Sequence, residues 1–343
     1  MVKKLCAVVL GMAMAISAGC AAAPNPDGGE TPGGNETQTE VNLENYKKAR
    51  ALEEDYVYMW NRDGLRGEEC VVNLQTPAYA MQVDGKLGKL VALGEYKSLS
   101  DGTYTEADFS VLTKAEMNFF LTENGTEHEG KEVSGSHRII DSGRAMQRMD
   151  YLNIRYQGYA LEKLGRVEYA ASLNHFAINY ELHSKTDTSA GLKFTLRLEG
   201  MSSTVLENGR GVRMTDANGN GFAFLRPADD SAVSVTAEGD TLICSKSDIS
   251  VPAITHTGFG VIVVPVKADS DELLEEYLAL ENVTVTAEQL APGSGTLPVS
   301  FDAKRGVFRV DVSSVSVGTQ AMEANRKRYE RVRFTVEKET EGL

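Results

Sequence analysis

The sequence predicts an all-β protein whose main body is a large antiparallel β-sandwich. Three observations carry that expectation. From Gly165 to Pro227 the chain reads as segment after segment of alternating apolar and polar residues, and a period of two sends alternate side chains to opposite faces of a sheet. Turn residues such as Asp84-Gly85, Asp101-Gly102 and Asn124-Gly125 separate the segments at the spacing of sandwiches and barrels. Helical periodicity is confined to one stretch before this region and one after it.

Taken in order, the chain opens with Lys3 and Lys4, an apolar run from Leu5 to Ile16, the small residues Ser17-Ala18-Gly19, and Cys20. That order is a secretory signal peptide over residues 1–19, too short for a good membrane-spanning helix. A Cys directly after small residues resembles the lipobox of bacterial lipoproteins. The resemblance implies acylation of Cys20, a membrane held through that lipid as partner, and an extracytoplasmic location. Ser17 departs from the aliphatic residue usual at its position, and the plainer alternative is an ordinary signal peptide with an incidental Cys. Several acyl chains on one Cys anchor stably where one does not. Residues 20–40, rich in Pro, Gly, Asn and Thr, read as a flexible tether.

From 41 to 64, Leu43, Tyr46, Ala49, Leu52, Tyr56 and Met59 or Trp60 recur at spacings of three and four, which predicts an N-terminal helix. Trp60 reads as a packing anchor or, more sharply, as a platform for a sugar ring. The main domain, 65–285, is expected to contain strands at Cys70–Leu74, Ala78–Val83, Leu87–Leu93, Thr103–Leu112, Met117–Thr122, Arg166–Ala171, His175–Ser184, Gly191–Glu199, Gly211–Thr215, Gly221–Leu225, Ala232–Ala237, Thr241–Ser245 and Gly258–Val266. Ser270 starts a later helix with the apolar stripe Leu273, Leu274, Tyr277, Leu278 and Leu280. Residues 286–343 return to β texture and either complete the main domain or begin a second one.

Three places attract a functional reading. The stretch His137–Gly158 is the densest polar and aromatic cluster; within it Arg144, Arg148, Asp150, Tyr151 and Tyr156 are ligand-binding candidates. Arg forks grip carboxylates and Tyr faces stack on sugars or on Arg; the bland reading is a structural Arg–Asp network across a sheet. On the alternating segment 175–183, His175, Glu181 and His183 share the polar face and are the candidates for acid–base chemistry, against a merely solvated face. Asp216, Asn218 and Asn220 match the opening of a calcium loop, but Pro227 stands where its Glu should be, so a polar hairpin turn is the better reading.

Other chemistries are disfavoured. A formal charge of −14 repels phosphate backbones, so nucleic acid is not an expected partner. No P-loop, dinucleotide fingerprint or nucleophile elbow is present, and no cofactor is expected. His175 and His183 would stand about 26 Å apart on one strand, too far to share an ion. Cys70 and Cys244 form either one disulfide or two buried thiols.

The segments Gly165-Arg166-Val167-Glu168 and Asn218-Gly219-Asn220-Gly221-Phe222-Ala223-Phe224, set among many antiparallel strands, resemble the galactose-mutarotase-like supersandwich domains of secreted glycan-processing proteins, over roughly residues 65–285. The resemblance implies a sheet face that binds or cleaves sugars with His, Glu, Arg and Tyr. It rests on strand texture, so no catalytic residue is carried over. The expected function is a lipid-anchored protein that binds or helps process glycans. Its rivals are a glycan lyase or hydrolase working by acid–base chemistry, and a structural or adhesive envelope protein without a small ligand.

Overall fold

The computed structural model describes residues 57–61, 71–98, 107–133, 137–142, 146–159, 162–289, 295–311 and 332–338. The signal segment, Cys20, the tether, Cys70 and Arg144 lie outside these. The strands are β1 (Tyr58–Asn61), β2 (Val71–Gln75), β3 (Tyr79–Asp84), β4 (Leu90–Glu95), β5 (Thr113–Glu123), β6 (Thr126–Val133), β7 (His137–Ser142), β8 (Met146–Tyr156), β9 (Lys163–Ser172), β10 (Phe176–Ser184) and β11 (Thr188–Leu198). There follow β12 (Ser202–Val205), β13 (Gly211–Thr215), β14 (Gly221–Leu225), β15 (Ser234–Glu238), β16 (Thr241–Val251), β17 (His256–Val266), helix α1 (Glu272–Leu280), β18 (Val283–Gln289), β19 (Gly295–Leu297), β20 (Val299–Asp302), β21 (Val307–Val310) and β22 (Val332–Lys338).

The class is all-β, as expected, and every strand pairing is antiparallel. The first sheet runs β15–β16–β11–β5–β4–β3–β2–β1. The second runs β12–β13–β14–β17–β10–β9–β8–β7. Strand β6 pairs with β5 of one and β8 of the other, so it joins them. Their inner faces form one apolar core. At its centre Phe194 of the first sheet stacks on Phe259 of the second at 5.8 Å, and Phe119 meets Tyr180 at 5.0 Å. Phenols buried in this core find partners: Tyr169 donates to the Gly88 carbonyl at 2.8 Å, and the Tyr156 and Tyr180 hydroxyls lie 2.6 Å apart.

Three expectations are corrected. Residues 58–61, the end of the expected N-terminal helix, are strand β1, because their backbone pairs with β2 from Tyr58↔Gln75 to Asn61↔Val72; residues 41–56 and 62–64 are not among those described. The expected strand 103–112 is broken: Phe109–Val111 is a 3-10 turn whose Ser110 amide donates to the Asp108 carboxylate at 3.0 Å. The stretch 126–159, where no strand was assigned, supplies β6, β7 and β8.

The outer face of the second sheet is covered. Ala170, Ala177, Ala223, Ile262 and Val264 make a low apolar floor onto which α1 lays Leu274, Tyr277 and Leu280. The β20–β21 hairpin docks beside the helix. Close approach fixes two glycines there. A Cβ at Gly260 would lie 2.4 Å from Asn179 Oδ1 and 2.9 Å from the Lys304 carbonyl, and one at Gly306, whose φ is +66°, would lie 2.7 Å from the Tyr277 ring. The hairpin, residues 299–310, is therefore applied to the sandwich.

His175 is buried beneath the hairpin, its ring 5.1 Å from that of Tyr277. Burial holds its pKa down at about 4, against 6.5 ordinarily. Between those values the unfolded chain binds a proton that the folded chain excludes. The stability due to neutral His175 is therefore complete above pH 6.5 and is lost as pH falls toward 4, by about 3 kcal/mol. Urea unfolding at a series of pH values should show that slope in the wild type and lose this share of it in His175→Gln.

Candidate functional site

Register lines up the polar side chains on the outer face of the second sheet. Asp150, Glu168, Asn179 and Gly260 form one row across β8, β9, β10 and β17; Arg166, Glu181 and Gly258 form the next, and His183 with His256 the third. The fork of Arg166 contacts Asp150, Glu181 and Glu168 at 3.0, 3.0 and 3.1 Å. From above, Arg305 of the docked hairpin contacts both oxygens of Glu168, at 2.6 and 3.1 Å, and Asp302 at 2.8 Å. Asn179 donates to Glu168 at 3.1 Å, and Arg148 lies 4.0 Å from it. The carboxylates occupy the guanidinium forks of Arg166 and Arg305, so the arrangement is a clamp between hairpin and sheet rather than an open anion site.

Of the residues picked from sequence, the structure brings Arg148, Asp150, Glu181 and His183 onto this one face. Tyr151 and Tyr156 are corrected: both are buried in the core between the sheets and present no ring to a ligand. The reason is a bulge between Tyr151 and Ile154, where Asn153 has φ +66°, which turns Tyr151, Ile154 and Tyr156 all inward. His175, expected on the open polar face with Glu181, is instead sealed under the hairpin. His256 was not picked. It lies on β17, opposite His183, and partial desolvation of its ring against the sheet, followed by the Arg166 guanidinium, holds its pKa below the ordinary value.

The Asp216 hairpin uses its own oxygens. Asp216 Oδ1 accepts from the Asn218 and Asn220 amides at 2.9 Å each, and Asn220 Oδ1 accepts from the Ala268 amide at 3.3 Å. The residues that match a calcium loop are thus those of a turn held by its Asp side chain. Cys244 is a buried free thiol whose pKa burial pushes up.

The outer face of the first sheet is different. No helix lies on it among the described residues. Phe120, Lys193 and Ser245 form a row across β5, β11 and β16, and Asn118, Thr195 and Ile243 form the next. The ladder between β11 and β16 then slips: Leu192 faces Lys246 but Ala190 faces Ile249. That extra residue on β16, with Asp248 at φ +53°, parts the side chains above a basin of about 560 Å³. Thr122, Glu123, Ser189, Lys193, Ser245, Lys246 and Asp248 are in its lining.

Its charges are balanced in place. Lys193 pairs with Glu127 and lies 4.4 Å from the Phe120 ring centroid, and Lys246 pairs with Asp230 at 2.6 Å. Glu123 accepts from Lys163 and from the Tyr159 hydroxyl. Hydrogen bonds from Lys163, then from Tyr159, hold the Glu123 carboxyl below its usual range, and the bond to Glu123 pushes the Tyr159 phenol up to about 12. Sequence reading passed over this site because its residues come from separate strands and a bulge assembles them.

No family model matches the chain, and no curated protein matches it. Solved structures similar to it include an active YidC insertase, 13% identical with a TM-score of 0.35 over 65% of this chain and 43% of that one. Heparan sulfate lyase HepC from Pedobacter heparinus is 10% identical with a TM-score of 0.35 over 75% and 41%. The 4-alpha-glucanotransferase from Thermococcus litoralis is 11% identical with a TM-score of 0.34 over 65% and 41%. The chain thus spans about two fifths of the length of each. Enzymes that act on glycans are among these distant neighbours, and function has to be argued from the site.

The clamp is testable. Arg305→Ala leaves Glu168 buried with one fork fewer, and such a loss costs about 3–5 kcal/mol. Urea unfolding should show it, with faster amide exchange in residues 299–310.

Proposed function

We propose that this chain is a lipid-anchored, extracytoplasmic carbohydrate-binding protein that takes a neutral oligosaccharide in the basin over β5, β11 and β16. The basin's lining carries the reading: it offers hydroxyls, ammoniums and carboxylates to a ligand dense in donors and acceptors. Lys193, Lys246 and Glu123 already have partners of opposite charge, so the lining does not call for a charged ligand. The amino-terminal pattern ending at Cys20 supports the anchor.

Binding is favoured over turnover by the direction of the pKa shifts. Glycoside hydrolysis needs one carboxyl raised toward working pH as a general acid, and proton abstraction needs a base that is free of its proton. Glu123 is shifted away from the first role and Tyr159 from the second.

A glycan array probed with the full-length protein should give neutral oligosaccharide hits, weakened at least about tenfold by Lys193→Ala or Ser245→Val. With Glu123 ionised and Tyr159 protonated throughout, affinity should stay flat between about pH 6 and 9. A blank array from folded protein, or hits untouched by both variants, would remove the basin as the binding site. Fractionation of cells should find the wild type with membranes and Cys20→Ser in the soluble phase.

A further inference from the structure

We propose that His183 and His256 together bind one divalent transition-metal ion of the Zn²⁺, Ni²⁺ or Cu²⁺ type. The site lies at the end of the second sheet's outer face that no helix or hairpin covers among the described residues, and it does not rest on the sugar-binding reading. The two residues are cross-strand partners on β10 and β17. Their ring centroids are 4.9 Å apart, with the planes tilted by 33°. Imidazoles so placed can direct one nitrogen each at a common ion, given metal–nitrogen bonds of about 2.0–2.1 Å. His256 is exposed and His183 half-buried, so an ion has access from solvent.

The surroundings orient the pair. His183 Nδ1 lies 3.2 Å from the Thr255 carbonyl. A carbonyl only accepts, so Nδ1 carries the proton and Nε2 keeps the lone pair for a metal, which is how metal-binding imidazoles are commonly oriented. The turn that presents Thr255 is held at a cost. Ile254, β-branched and 78% exposed, has φ +64°, a conformation such residues rarely adopt. It is fixed by the Ile254 amide donating to the Ser184 carbonyl at 2.8 Å and the Ala253 amide donating to Asp187 at 2.7 Å. Glu181, two residues before His183 on the same face, adds negative charge near the pair, while Arg166 opposes it.

The chemistry sets the ion class. Two imidazoles favour Zn²⁺, Ni²⁺ and Cu²⁺ over Mg²⁺ and Ca²⁺, which want oxygen. Among the described residues no group of three or more His, Cys, Asp or Glu is placed to share an ion. Water therefore completes the coordination, and the ion is exchangeable rather than a structural staple.

The test is calorimetric titration of tag-free, full-length, chelator-treated protein with ZnCl₂, NiCl₂ and CuCl₂. One equivalent should bind, with at least about tenfold weaker affinity in His183→Ala and in His256→Ala. MgCl₂ and CaCl₂ should give no saturable heat. Zinc should raise the melting temperature of the wild type, and EDTA should reverse the rise. Both variants change side chains at the surface, and their metal-free melting curves check that they fold. Absence of saturable binding, or undiminished binding in the folded double variant, would overturn the proposal; the second result would place the ion elsewhere.

Discussion

Glu168 is 1% exposed in the middle of the second sheet, and the face around it is arranged to make that burial tolerable. An ionised carboxyl out of water needs opposite charge and a hydrogen bond on each oxygen. Arg166 reaches it from its own strand, Asn179 from the next strand, and Arg305 from a hairpin some 137 residues further along the chain. The hairpin is thereby not an ornament on the sandwich. It supplies the guanidinium that Glu168 requires, and its Gly306 lets the backbone down against Tyr277. A buried pair of this kind adds little net stability compared with well-packed apolar residues, but breaking it is expensive. Its effect is to specify one docking position.

That specification divides the molecule's outer surfaces. The second sheet's outer face is closed by α1 over its apolar floor and by Arg305 over its charged middle, while the His183–His256 end has no such cover among the described residues. The first sheet carries no helix on its outer face among the described residues. Strands such as β10 and β11 read alike as polar alternation, while Gly258–Val266, apolar throughout, already reads as buried on both faces. What covers it, α1 and the β20–β21 hairpin, comes from later in the chain and is not encoded in the strand itself.

Apart from the short β12, which was not assigned, the strands from 163 to 251 were legible because one of their faces packs in the common core, which enforces a period of two, and β17 was legible as a continuous apolar run. The strands from 126 to 156 were not. Asn153 inserts a bulge, so Tyr151, Ile154 and Tyr156 all point inward and the period breaks at the aromatic residues that had suggested a binding surface. That Glu181 and His183 share a polar face follows from alternation along β10; Arg148 and Asp150, read in a separate stretch, join them only through the pairing of β8, β9 and β10. Their partners were hidden. Arg305 and His256 meet them only through strand order and register, which no spacing within a single strand encodes.

The same logic explains why the basin was invisible and why its chemistry is quiet. A ladder in perfect register would have continued Lys193 and Ser245 into a closed row; the extra residue near Asp248 interrupts it and leaves room above the sheet. Glu123 of the lining accepts a hydrogen bond from Tyr159, which lowers the pKa of the carboxyl and raises that of the phenol. Lys163 reinforces the carboxylate. A catalytic pair is built the opposite way, with one group strained toward gaining a proton and the other toward losing it. Here each group's need is met by its neighbour, so of these two neither is poised to move a proton, and each keeps one charge state across the ordinary pH range.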